Sequence, residues 1–496
     1  MIVVGQTTRP SARSVISQSL TPPAHPQKRV DDALIEFPLA PGQEKYGSID
    51  GKKMHAYVVD LANIAKRYRD NGHPKYWGRV IGSSADHETN EWLLGKFKSF
   101  GLSDAHIQDL PLAPQWVPSD WKVEVTAGGQ RVELTSAQPT YETGAFSEAE
   151  LDAAWVGRGS EADFIGRDVK GKAVFVETMQ QAGNTGGVAR AGEKGAAVVF
   201  QVSMLPGNMR MQDYPARGTK TAFALGNDDG NTARTMIEKA GGQPVKVKVH
   251  LTVSLVPGLS TGTVWGTLPG KSDETIFVTT HKDGWFEAAT DNASGVASTL
   301  GLVEYYSRIP QAQRPRTMVF VGLDGHHNGN TGHAGLTQIV QNFDKLFANT
   351  VLIFNNEHPA TIASQSRPRY YPGNEIVWAN TYLPLEWFAG GKTFPEVKAI
   401  AWKAFKEFGQ SVELDENPSS PASDLTTFQG VLNTARPGYV LQDHIALLDA
   451  GEYHYYFHTD WETPEQVPWT GLQASTRAFA KIIDEVNKLP LSKLRK

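Results

Sequence analysis

HKDGWFEAATDNASG, residues His281 to Gly295, is the stretch whose reading decides the fold. It follows a short apolar run, Ile276–Thr280, that reads as a buried strand. It precedes Val296–Tyr306, whose apolar residues recur at helical spacing. His281 and Asp291, two candidate metal ligands, therefore sit on the loop leaving the C-terminal end of a strand. Open α/β sheets place their chemistry there. Ala288, Ala289, Ala293, Ser294 and Gly295 are small enough to let the backbone crowd a buried ion. Taken alone, the stretch reads equally well as a capped helix behind a solvated acidic loop.

Together with Asp291–Gly295, four segments, the first inside the same stretch, change that balance. H-x-D occupies His281–Asp283, D-G-H-H Asp324–His327, N-N-E Asn355–Glu357, and H-T-x-x-E-T His458–Thr463. Each stands beside an expected strand end or helix start. A two-metal hydrolase needs one carboxylate to bridge the ions and terminal nitrogen or oxygen ligands on each side. Asp291 is placed to bridge. His281 and Glu357 would complete one ion, and His327 and His458 the other. Asp283, two residues from His281, would hold that imidazole by its other nitrogen.

These segments resemble, in order, those of the M28 zinc peptidases, the glutamate carboxypeptidase and bacterial aminopeptidase group. H-x-D and D-N-x-S-G match as they stand, and FHTDWET at Phe457–Thr463 is similar to the family's terminal histidine segment. Ser423 and Asp424 with Phe428 resemble its S-D-x-x-x-F segment. GKAVFV, ARAGEKGAAVVF and FALGNDDGNTARTMIEKAG resemble an inserted protease-associated (PA) domain. The resemblance extends over roughly 45–485. It implies an α/β fold, a mostly parallel-core mixed sheet flanked by helices, with the β-rich PA domain inserted. The expected division is an arm at 1–45, a metallohydrolase domain at 46–120 and 263–496, and the insert at 121–262. Extracytoplasmic location is favoured by the same resemblance.

The departures from the family pattern concern the chemistry. Where the family has Glu-Glu, this chain has His326 and His327. The first position is the family's general base and the second a metal ligand. Imidazole replaces a carboxylate as a ligand of zinc, iron and other borderline ions, but the swap removes negative charge. His326 is expected to move protons, although a neighbouring dication lowers the basicity of an imidazole. Glu357 stands where the family usually has Asp. The expected cofactor is one or two divalent ions, zinc first, with iron or manganese as alternatives. Three functions follow. One is hydrolysis of a peptide or amide bond. A second is a different metal-dependent reaction, hydrolytic or lyase-type, on an aromatic substrate. The third is a binding scaffold that has lost its base.

The remainder of the chain bounds these readings. Its 496 residues and 54.2 kDa imply two or three domains. A net charge of −5 suggests neither nucleic acid nor an anionic membrane as a partner. The expected partner is a peptide or small-molecule substrate, with homo-oligomerisation left open. With no cysteine there is no disulfide framework and no thiolate ligand. No run is long and apolar enough to span a bilayer, and MIVVGQTTRPSARS lacks the apolar centre of a signal peptide. Strands are expected at Thr317–Leu323 and Val351–Asn355, helices at Met54–Tyr68, Glu88–Phe100, Gly335–Leu346 and Pro395–Phe408, and loop at 360–393. His333 and His358 read as outer or loop histidines, His444 as structural, Asp324 as a strand-end residue. His454 competes with His458. Tyr453, Tyr455, Tyr456, Trp461 and Trp469, with Tyr370, Tyr371 and Trp378, read as core or as an aromatic substrate pocket.

Overall fold

The computed structural model describes residues 36–178, 186–205, 207–214, 218–327, 334–368, 374–382, 385–414, 424–451 and 456–496. Most of the expected arm, and with it His333, Tyr370, Tyr371, Ser423, Tyr453, His454 and Tyr455, lies outside these residues.

The run at Ile276–Thr280 is the centre of an eight-stranded mixed sheet. Strand Ser272–His281 lies parallel to Arg316–Leu323 on one side and Thr350–Asn356 on the other, and Ala446–Gly451 continues the parallel set. Ser260–Leu268 and Ser103–Pro111 extend one edge antiparallel. Leu385–Ala389, antiparallel to Ala446–Gly451, and Val412–Leu414 form the other. Parallel strands covered on both faces must be apolar on both faces. Ile276, Val278, Phe320 and Phe354 accordingly join one core, beneath helices Gly51–Asp70, Gly295–Ser307, Pro395–Glu407 and Trp469–Val486. Phe277, Val321, Leu323 and Ile353 join the core on the opposite face, beneath Ala334–Gln341 and Asp424–Ala435.

A second eight-stranded sheet is built from strands between Gln115 and Val256. Its strands Ala173–Thr178, Val198–Ser203 and Ala222–Leu225 are parallel neighbours buried on both faces, so they read as largely apolar runs. Lys246–Val256 instead pairs antiparallel with Gln115–Ala127 and alternates, with Val247, Val249 and Leu251 buried. Strand pairing puts the seams between the two sheets at about 112–114 and 257–259. The expected boundaries at 121 and 262 fall inside strands Gln115–Ala127 and Ser260–Leu268.

Two expectations need correction. Residues 360–393 are not simply loop: Ile362–Pro368 and Asn374–Tyr382 pair as an antiparallel ribbon, and Leu385–Ala389 joins the main sheet. The helix expected at Gly335–Leu346 is two pieces, Ala334–Gln341 and Phe343–Leu346. Among the described residues no helix is long and apolar enough to cross a membrane.

Candidate metal centre

The parallel strands all end on one edge, and the candidate ligands sit there. His281 is the last residue of its strand. Asp324, His326 and His327 follow Leu323, and Glu357 and His358 follow Asn356. Asp291 lies on the turn entering helix Gly295–Ser307. Asn292 ties that turn to the sheet: its Nδ2 donates to Thr280 Oγ1 at 3.1 Å and to the Asn356 carbonyl at 3.2 Å. Its Oδ1 accepts from the Gly295 N–H at 3.0 Å. A Cβ on Gly295 would stand 2.2 Å from that oxygen, so the D-N-x-S-G spacing needs glycine there.

Asp291 is fully buried at the focus. Its Oδ1 lies 3.1 Å from His281 Nε2 and 2.9 Å from His358 Nε2. Its Oδ2 lies 3.0 Å from His327 Nε2 and 3.1 Å from His458 Nε2. Asp283 stands behind them. Its Oδ2 accepts from the His327 N–H at 3.0 Å and lies 3.2 Å from His327 Nδ1, while its Oδ1 lies 3.5 Å from His281 Nδ1. Glu462 clamps the backbone, accepting from the N–H groups of Thr290, Asp291 and His458. His326 stacks on His281 with ring centroids 4.1 Å apart, and its Nδ1 meets Asp424 Oδ1 at 2.9 Å.

Burial and charge shift these groups strongly. Burial disfavours charge on Asp283 and Asp291, yet the neighbouring histidines hold both carboxyls well below the usual range. Burial likewise opposes the His281 and His327 cations, but Asp283 and Asp291 more than offset it, raising them to about 10 and about 9. His326 is raised to about 9, with Asp424 outweighing burial. His458 falls to about 3, chiefly through burial.

The donors fit a metal. Both ring nitrogens of His281 and Asp291 Oδ1 are buried and make no hydrogen bond, although His281 Nε2 and Asp291 Oδ1 face each other at 3.1 Å. Buried polar atoms of this kind call for an ion or another partner. Donor atoms lie within 4.8 Å of one another in the triplets Asp291–His327–His458, His281–Asp291–His358 and His281–His326–Glu357.

Residues 263–483 match the profile of Peptidase family M28. The chain is an M28-peptidase-like metallohydrolase. No curated protein matches it in sequence. Among solved structures it is similar to a peptidase M28 precursor from Shewanella amazonensis SB2B, at 15% identity and TM-score 0.65, covering 92% of this chain and 98% of that one. It is also similar to a zinc aminopeptidase from Bacillus subtilis, at 14% identity and TM-score 0.61, covering 90% and 98%. An aminopeptidase from Aneurinibacillus sp. strain AM-1 follows at 16% identity and TM-score 0.55, covering 90% and 96%. At such identities the likeness is one of fold.

Several residues of this M28-like site escaped the sequence reading. Arg79, fully buried, donates to the carbonyls of Lys282, Glu287 and Ala288 and so shapes the loop carrying Asp283. Burial lowers it to about 10. Tyr214, from the segment following the second sheet's strand Val198–Ser203, stands edge-on to His458 at 5.1 Å. Trp285 lies against His327 and His458. No local pattern marks Arg79 or Tyr214, because each arrives from a distant part of the chain, whereas Trp285 stands in the same stretch as His281 and Asp291. Other named residues lie off the centre. His444 stacks on Tyr439, Trp461 joins Leu205, Met209 and Tyr456, and Trp469 starts the last long helix. Asp324 accepts from Thr263 Oγ1 at 3.1 Å, and burial raises it to about 6.

Proposed function

We propose that the chain is a metal-dependent hydrolase of the M28 peptidase type that cleaves a peptide or amide bond, with zinc as the first candidate ion. His326 takes the proton-transfer role in place of the family's glutamate. The observation that carries this is the His326–Asp424 pair, 2.9 Å apart, beside the ligand cluster. An Nδ1–H held by a carboxylate leaves Nε2 as the atom that exchanges protons. Bound dications would polarise the scissile carbonyl and acidify water. Asp291 holds the two sides of the cluster together, Asp283 orients His281 and His327, and Glu462 fixes the backbone of both Asp291 and His458. The PA-like insert and an extracytoplasmic location belong to the same proposal and rest on resemblance.

A reaction other than peptide hydrolysis is favoured by one observation. The position of the family's base is an imidazole stacked on His281, not a carboxylate. Metal content and turnover of purified protein, read together, separate these functions. A peptidase holds metal and releases amino acids from peptides or aminoacyl amides. His326→Ala should keep the metal and lower turnover by roughly 10²–10⁴-fold, the usual worth of a positioned acid–base group. Parental turnover in that variant would end the assignment of His326. Metal-loaded protein inert toward every peptide and amide offered would favour the second reading, and protein that takes up no metal a scaffold.

A further inference from the structure

The two oxygens of Asp291 have matching surroundings: each faces two imidazole Nε2 atoms at 2.9–3.1 Å. Two ligands on one tetrahedral zinc, each about 2.0–2.1 Å from it, stand about 3.3 Å apart. All four separations lie within a few tenths of an ångström of that edge. His281, Asp291 and His358 form one triplet of donors, and Asp291, His327 and His458 the other.

Glu357 is differently engaged. Its Oε1 accepts from Asn355 Nδ2 at 2.9 Å and from the Asp424 N–H at 2.9 Å. Its donor atom gathers with His281 and His326, whereas His358 completes the triplet around Asp291 Oδ1. His358 is also held in place. Its N–H donates to Asn292 Oδ1 at 3.2 Å, and Asn292 follows Asp291 directly in the chain. Its φ is +39°, and that of His458 is +60°. A left-handed backbone at two non-glycine residues is costly and gathers at functional sites.

We propose that His358 is a metal ligand and that the ions are held by two histidine pairs, His281 with His358 and His327 with His458, sharing Asp291. Glu357 is then a positioning residue that links Asn355 to the start of helix Asp424–Ala435. This rests on the metal-dependent reading above. Its consequence is a donor set of four imidazoles and one carboxylate. Such a set takes borderline dications (zinc, iron, cobalt) and discriminates against magnesium and calcium, which prefer oxygen.

The test is metal binding by the full chain, stripped with a chelator and titrated with Zn²⁺ against a chromophoric competitor. Co²⁺ is added separately and followed by its visible spectrum. The parent should take up two ions, and excess Mg²⁺ should displace neither. His358→Ala should lose one ion, or weaken it beyond the roughly 10–100-fold typical of losing an outer partner, with a change in the cobalt bands. Glu357→Gln should keep two ions, weakened by no more than that range. If His358→Ala does not fold by circular dichroism, His358→Gln is read by the same cobalt spectrum. Parental stoichiometry, affinity and spectrum in the folded His358 variant would overturn the assignment, as would loss of an ion in Glu357→Gln alone. Displacement by Mg²⁺ would overturn the donor set. A parent that binds neither Zn²⁺ nor Co²⁺ would remove the metal-dependent reading and this inference together.

Discussion

Asp283 orients more than the spacing H-x-D reveals. The sequence pairs it with His281, two residues away. The fold also brings it to His327 Nδ1 and to the His327 N–H. One carboxylate thus holds the His327 imidazole by a hydrogen bond and faces that of His281 at 3.5 Å, and with Asp291 it favours their protonated forms. His281 is raised to about 10 and His327 to about 9, so both are cations at pH 7.5, whereas His458 at about 3 is neutral. An ion must displace the first two protons. Uptake at pH 7.5 should therefore release about two protons, and affinity should rise with pH until the 9–10 window is passed. Calorimetry in buffers of different ionisation heat measures this directly. Uptake with no proton release would show that both imidazoles are neutral beforehand. The candidate ligands and their order stand out in the sequence because each motif is local. The place of His358 does not, because its nearness to Asp291 depends on how two strand ends meet.

Short elements do much of the positioning. Gly78–Arg79 is a two-residue strand paired with Gly284–Trp285. Gly78 has φ +145°, and a Cβ there would stand 2.3 Å from the Gly284 carbonyl, so only glycine allows the approach. That approach delivers the Arg79 guanidinium to the carbonyls of Lys282, Glu287 and Ala288 at 2.8–3.0 Å. Arg79→Met would leave the Lys282 and Glu287 carbonyls unpaired, each worth about 1–3 kcal/mol, while the Ala288 carbonyl keeps the Ala293 N–H. A loss of about 2 kcal/mol or more is expected, measured by denaturant unfolding. An unchanged midpoint would mean that water replaces the guanidinium. The longer elements were readable from pattern alone. Ile276–Thr280 and Val351–Asn355 are apolar runs because the sheet is covered on both faces, and helix Gly51–Asp70 carries an apolar stripe at Met54, Val58, Leu61 and Ala65. The ribbon at 362–382 was not readable, since SQSRPRYYPGNE offers turn residues but no alternation that separates strand from loop.

At the scale of the molecule, the candidate metal centre lies where the two sheets meet. Gln212 donates its N–H to the His458 carbonyl at 2.9 Å, and the Asp460 N–H donates to the Arg210 carbonyl at 3.0 Å. Arg210 Nε also pairs with Asp460 Oδ2 at 3.0 Å. Leu205, Met209, Tyr456 and Trp461 close an apolar cluster across the same seam. His458, a candidate ligand, is therefore held from behind by the segment at 207–214 and from the front by Asp291. An ion would tighten the front attachment, and linkage transmits that gain to everything His458 holds. Chelation should therefore speed hydrogen exchange at the Gln212 and Asp460 amides, while those of Phe277 and Val278, in the middle of the main sheet, stay protected. Exchange followed by mass spectrometry with and without Zn²⁺ makes the comparison. Equal protection of Gln212 and Asp460 in both states would mean that the seam stands without the ion, and that the second sheet braces His458 whether or not metal is bound.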